Sequence, residues 1–251
     1  VTQPAIDVFP WPAGRRGAVS LTFDDARPSQ LDAGLPILES RGARATFYLS
    51  PPNAAPRRDD WRQAAARGHE MGCHTLTHPC SGNFAFARGN PLEDYTLERM
   101  QEELAAADAA IAGLTGVTPV TFAYPCGQKF VGRGEATAST VPLVARRYLA
   151  GRGFRDEDVN APGFCDLAQA TGIDGDDAPF EALRAWIDRA AREGGWLILA
   201  CHDVGDRPRQ AIRPAVLEAV CRYCQDPSVG VWLDTVAAVG RHIAAERRHG
   251  R

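Results

Sequence analysis

Short apolar runs alternate with longer stretches in which apolar residues recur every three or four positions, and the alternation continues along most of the 251-residue chain. After a proline-rich lead-in (Pro4, Pro10, Pro12), Ala18 to Phe23 predicts a first strand. A helix over Gln30 to Ser40, a strand at Ala45 to Leu49, a helix at Trp61 to Arg67 and a short strand at Glu70 to His74 follow. The longest helical pattern runs from Leu92 to Leu114, with Gly113 and Gly116 as stop signals, and precedes a strand at Val120 to Tyr124 that Pro125 ends. The last third predicts helix Phe180 to Glu193, strand Trp196 to Cys201, helix Ala211 to Cys224, strand Val229 to Leu233 and helix Thr235 to Arg247. Such alternation predicts an α/β fold, a parallel sheet covered by helices and either open or closed into a barrel. Residues 127–162 are Gly-rich and poorly patterned; they read as a lid or insertion, with a helix around Val141 to Leu149. No repeat or linker divides the chain, which reads as a lead-in over 1–17 and one domain over 18–251.

Composition narrows the function classes. The net charge is −3, so nothing draws the chain to nucleic acid or an anionic membrane. The arginines at 241, 247, 248 and 251 read as a solvated helix end. The longest clear apolar run, Trp196 to Cys201, is strand-sized, which predicts no membrane span. The opening residues carry no signal-peptide pattern. Seven cysteines is an odd number, so at least one stays outside any intramolecular disulfide. Cys221 and Cys224 share one helix face as buried thiols, and strand alternation turns Cys73 and Cys201 into the core. Cys80, two residues past His78, is a weaker candidate for a thiolate ligand.

In parallel α/β folds chemistry collects at the C-terminal ends of the strands. Asp24 and Asp25 end the first strand, His74 the third, Tyr124-Pro125 the next, and His202-Asp203 the strand at Trp196. Adjacent carboxylates point in different directions, so one can bind a cation while the other serves as a base; the bland alternative is a turn or helix cap. His74 and His78, four apart, reach one side if the segment turns helically, which is the geometry a metal needs. Two histidines and a carboxylate suit zinc in a hydrolase and equally iron in an oxygenase, although the strand–helix alternation disfavours the oxygenase's usual scaffold. His202 can protonate a leaving group, or be a histidine paired with a carboxylate for structure alone. His242 and His249 read as structural or surface groups.

Together, Thr22-Phe23-Asp24-Asp25, the segment Gly68 to His78 and His202-Asp203 resemble the polysaccharide deacetylase (NodB-homology) family of carbohydrate esterases, in order and spacing, over nearly the whole chain. The resemblance implies a distorted, incomplete (β/α) barrel. It makes Asp24 the catalytic base, His202 the acid, and Asp25, His74 and His78 the ligands of one divalent ion, zinc foremost and cobalt or nickel as alternatives. The backbone N–H of Cys126 would serve the oxyanion, with Tyr124 and Pro125 at the substrate side. The implied reaction is removal of acetyl groups from an N-acetylglucosamine-containing or O-acetylated polysaccharide, in an extracytoplasmic or alternatively cytoplasmic setting. A catalytically degenerate glycan binder and a hydrolase of a small amide or imide are the alternatives. The chain departs from the family pattern at Ala123, where an arginine usually braces the base, and at Cys126 and Ala200, where the family carries an aromatic and a leucine. Arg27, Arg133, Arg152 and Arg155 are the candidate replacements, Arg133 first because it is nearest. The aspartate that orients His202 falls among Asp166, Asp174, Asp176 and Asp177.

Overall fold

A computed structural model describes residues 9–206 and 209–249; Pro4 of the lead-in and Arg251 of the basic tail lie outside them. Eight parallel strands form one sheet: β1 Gly17–Asp24, β2 Thr46–Leu49, β3 Glu70–Cys73, β4 Thr121–Ala123, β5 Ala150–Arg152, β6 Ile173–Asp174, β7 Trp196–Cys201 and β8 Val231–Leu233. Their order is β5-β4-β3-β2-β1-β7-β6, and β8 pairs with the start of β1. Parallel strands need long crossovers, which put helices on the sheet faces. These are α1 Leu35–Ser40, α2 Arg58–Ala66, α3 Leu97–Thr115, α4 Val141–Arg147, α5 Phe180–Glu193, α6 Pro214–Gln225 and α7 Val236–His249. The sheet curls into a half-barrel, the distorted, incomplete (β/α) barrel. Among the described residues no helix is long and apolar enough to cross a membrane.

All residues of β1 and β7 are buried, as expected of central parallel strands covered on both faces. The few polar side chains among them are paired: Thr22 Oγ1 donates to the Leu199 carbonyl at 2.8 Å, and Trp196 Nε1 donates to Ser20 Oγ at 3.1 Å. Burial therefore fixes β1 and, with it, the position of Asp24-Asp25.

Several predicted boundaries shift for local reasons. The helix expected from Gln30 opens as a wide π-type turn, Gln30–Gly34, before α1. The helix expected from Leu92 begins at Leu97, because Thr96 caps it by accepting from Arg99 N at 3.2 Å and the residue before it is extended. It ends on Gly116 at φ 80°, a left-handed position that suits glycine. The helix expected from Ala211 starts at Pro214, since Ala211–Ile212 pairs instead with Asp203–Val204. Residues 127–162 hold a small antiparallel ribbon (Phe130–Val131 with Ala138–Ser139), α4 and the edge strand β5.

Candidate metal and acid–base site

Where β1 ends, Asp24 remains in extended pairing while Asp25 turns to φ 75° and Ala26 to φ 56°. That reversal sends the two carboxylates different ways. Asp25 Oδ1 lies 3.5 Å from His74 Nε2 and 3.5 Å from His78 Nε2, and its Oδ2 accepts from Arg27 Nε and Nη2 at 3.1 and 3.0 Å.

His74 follows β3, with its Nδ1 2.9 Å from the Ala123 carbonyl. A hydrogen bond there fixes the proton on Nδ1 and leaves Nε2 as a free donor atom. The loop to His78 is not the helical turn that the spacing of four suggested. Thr75 (φ 63°) and His78 (φ 52°) are left-handed, and Glu103 of α3 accepts from Leu76 N, Thr77 N and Thr77 Oγ1 at 3.0, 2.6 and 2.8 Å. Thr75 Oγ1 also accepts from His78 N at 3.0 Å. The loop reaches by tertiary anchoring what a helix would reach by periodicity. Burial, then the neighbouring His74 imidazole, lowers His78 to about 4, so it is a neutral imidazole at physiological pH.

Asp25, His74 and His78 each present one donor atom, all within 4.8 Å of one another. Bonds of about 2.0–2.2 Å at tetrahedral angles place donor atoms ~3.3–3.6 Å apart, so the two 3.5 Å separations suit a small divalent ion. Three protein donors leave an open position, the arrangement of catalytic sites.

Asp24 is buried, 4.0 Å through Oδ2 from His74 Nε2, and its Oδ1 accepts from Arg152 Nη2. The arginine on Asp24 is thus Arg152, from the edge strand β5, and not the first-choice Arg133, which pairs with Asp94 at 2.7 Å in solvent. Arg27 pairs with Asp25 and Asp203, and Arg155 with Asp174. Arg152 is 0% exposed, donates from Nη1 to the Gly153 carbonyl at 2.9 Å and stands 5.1 Å over the Tyr48 ring. Gly72 admits that ring: a Cβ there would collide with Tyr48. Burial pushes Asp24 up, but Arg152, then His74 and His202, outweigh it and hold the carboxyl at about 2.

His202 leaves β7 with its Nδ1 2.6 Å from Asp176 Oδ2, while its backbone N donates to Asp176 Oδ1 at 3.0 Å. Asp176 is therefore the aspartate that orients it. Asp166 instead caps the turn at Leu167, and Asp177 accepts from the backbone at Arg209 and Gln210. Burial opposes a charge on His202, but Asp176 and then Asp24 outweigh it, and its pKa is raised. Gln30 was invisible to sequence reasoning: its Nε2 donates to the carbonyls of Asp24 and His202, at 2.5 and 2.9 Å, tying the two strand ends together. Glu103 was likewise missed, since nothing in the α3 pattern marks it.

Cys126 holds φ 52° in the Pro125–Gly127 turn after β4. Tyr124, expected at the substrate side, is a core residue: its ring is buried and its hydroxyl donates to the Ala168 carbonyl at 2.7 Å. It lies one residue past β4 and shares the core with Phe122, two positions earlier, with the ring centroids 4.9 Å apart. Pro125 is buried too. A depression of about 310 Å³ next to this turn is lined by Ser81, Glu93, Gln128, Lys129 and the exposed Phe130. Cys73, Cys201, Cys221 and Cys224 are buried, as read from the sequence, and His242 is structural, with its Nε2 2.8 Å from the Pro10 carbonyl.

The polysaccharide deacetylase family model matches residues 12–139, just over half the chain. The chain belongs to this family, whose enzymes are metal-dependent deacetylases and esterases, and its Asp-His-His set is consistent with one divalent ion. Among solved structures, a candidate polysaccharide deacetylase from Mycobacterium smegmatis superposes with a TM-score of 0.66 at 18% identity, covering 95% of this chain and 93% of that one. A family 4 acetyl xylan esterase from Clostridium thermocellum, in complex with a cobalt ion, gives 0.60 at 20% identity over 88% and 89%. A peptidoglycan deacetylase from Bacillus subtilis gives 0.55 at 15% over 93% and 94%. A gellan lyase from a Bacillus species is 29% identical over 154 residues, which is 59% of this chain and only 5% of that protein's length.

Proposed function

We propose that the chain hydrolyses acetyl groups from an acetylated carbohydrate, with one divalent ion, zinc foremost, held by Asp25, His74 and His78. The observation that carries this reading is the convergence of the Asp25–His74–His78 donors with the Arg152-paired Asp24 and the Asp176-paired His202 at one edge of the sheet. A divalent ion held there would supply Lewis acidity, polarising the acetyl carbonyl and lowering the pKa of water so that it can give up a proton and attack at neutral pH. Asp24, at about 2, is ionised across the physiological range and takes the water proton through Oδ2, since Arg152 holds Oδ1. The Cys126 N–H serves the developing oxyanion, a role a backbone donor fills whatever its side chain. His202, its Nδ1 engaged by Asp176, presents Nε2 to protonate the departing amine or alcohol. The depression with Phe130, Lys129 and Glu93 suits a flanking saccharide unit, an apolar ring edged by polar groups.

The test is acetate release from chitin oligomers, peptidoglycan fragments and acetylated xylan, with and without chelator. Activity on at least one substrate, lost on metal removal and restored by zinc or cobalt, is expected. His78→Ala should lose metal and turnover together; activity that survives both chelation and this substitution would sink the metal-dependent reading.

Asp176→Asn tests the acid. A raised His202 pKa keeps the ring protonated to higher pH, so removing the carboxylate should lower that pKa. The basic limb of kcat/KM should then move to lower pH while the acid limb stays in place. A basic limb identical to that of the parent enzyme would remove His202 as proton donor.

A further inference from the structure

Two loops of the site meet through sulfur. Cys80, two residues past His78, and Cys126, in the turn after β4, bring their Sγ atoms to 2.6 Å across 46 residues of sequence. Cys80 is buried and Cys126 half-buried, so the pair is reached from one side. Apart from Cys126, the near polar neighbour of the Cys80 sulfur is His78 Nδ1, 3.8 Å away. Cys165, by contrast, takes a contact from Arg247 at 3.2 Å. The other four cysteines are buried in the core.

We infer that Cys80 and Cys126 are a disulfide site that clamps the His78 loop to the Cys126 turn. The bond forms by exchange with a low-molecular-weight disulfide. One protein thiolate attacks it and releases one thiol, and the second protein thiolate then displaces the other. Two cysteine thiols are oxidised, one external disulfide is reduced to two thiols, and the protons pass to those leaving groups. The clamp matters because both linked segments hold non-glycine residues at φ 52°, His78 and Cys126 themselves. Such conformations persist only where the surroundings over-determine them, and a covalent link between the loops adds one restraint to both. Resting on the reading of His78 as a ligand, the oxidised chain should hold its metal more tightly than the reduced one.

The purified chain is equilibrated in glutathione buffers from reduced to oxidised, then quenched by alkylation and mapped by mass spectrometry. At the oxidised end, two of the seven cysteines should escape alkylation, recovered as one cross-linked pair of peptides carrying positions 80 and 126. Cys80→Ser should abolish that species and leave glutathione on Cys126. Alkylation of both positions throughout the series, or a mixed disulfide with no cross-link in the parent chain, would overturn the site. Transfer of cobalt to a chromogenic chelator then tests the clamp. The oxidised form should release metal roughly ten-fold more slowly, the lower end of what support around a ligand is worth; equal rates would overturn it. Neither readout needs turnover, so the cross-link stands or falls apart from the deacetylase reading.

Discussion

Asparagine in place of Asp24 is expected to lower kcat/KM by about 10²–10⁴ while the protein keeps one metal ion per chain. The two adjacent aspartates differ in what surrounds them. Asp25 Oδ1 faces both imidazole Nε2 atoms at 3.5 Å, whereas Asp24 stands 4.0 Å from one of them and is occupied on its other oxygen by Arg152. Asparagine preserves the shape and an oxygen for the guanidinium, but it cannot take up a proton. Acetate release and elemental analysis on the same sample separate the two losses. Asp25→Asn, by contrast, should fall in metal content and rate together. An Asp24→Asn protein with its metal and unimpaired turnover would remove Asp24 as the base.

The strand ends were legible because burial writes them plainly. β1 and β7 are fully buried and mostly apolar runs, and the polar residues at their C-terminal ends, Asp24-Asp25 and His202, emerge where parallel sheets place chemistry. What supports those residues was less visible. Arg152 lies on a three-residue edge strand between Gly151 and Gly153, too short for a period of two to register, and meets Asp24 across 128 residues. Nearness in sequence favoured Arg133, but the ribbon between Phe130 and Ser139 carries it outward. Asp176 follows a two-residue strand in a run of aspartates, and only the register of Ile173–Asp174 against Leu199–Ala200 brings it beneath His202. The His74–His78 spacing named both imidazoles of the candidate metal set but not their backbone, which Glu103 sets from a helix whose pattern reports only its buried face.

Arg152 carries the second large effect. Arg152→Met should destabilise the metal-free protein by about 3–5 kcal/mol, the usual cost of leaving one member of a buried pair uncompensated. Its partner gives the sign of the pH dependence. Asp24 is held below its ordinary value, from 3.8 to about 2, so the pair stabilises the fold above about pH 4 and that contribution disappears as pH falls through 2. In the variant, burial acts on Asp24 without its main counterweight. Its pKa rises, and the acid limb of kcat/KM moves to higher pH along with the loss of stability. Arg152→Lys separates charge from shape: an ammonium keeps the attraction but cannot reach both Asp24 Oδ1 and the Gly153 carbonyl from one planar fork. Lysine should therefore restore part of the stability and the acid limb while leaving kcat below that of the parent, because the carboxylate is no longer held at one angle. Arg133→Ala, made in solvent, should change none of these readouts. If denaturant unfolding and the acid limb of Arg152→Met both match the parent, Arg152 is a packing residue, and His74 and His202 suffice to hold Asp24 low.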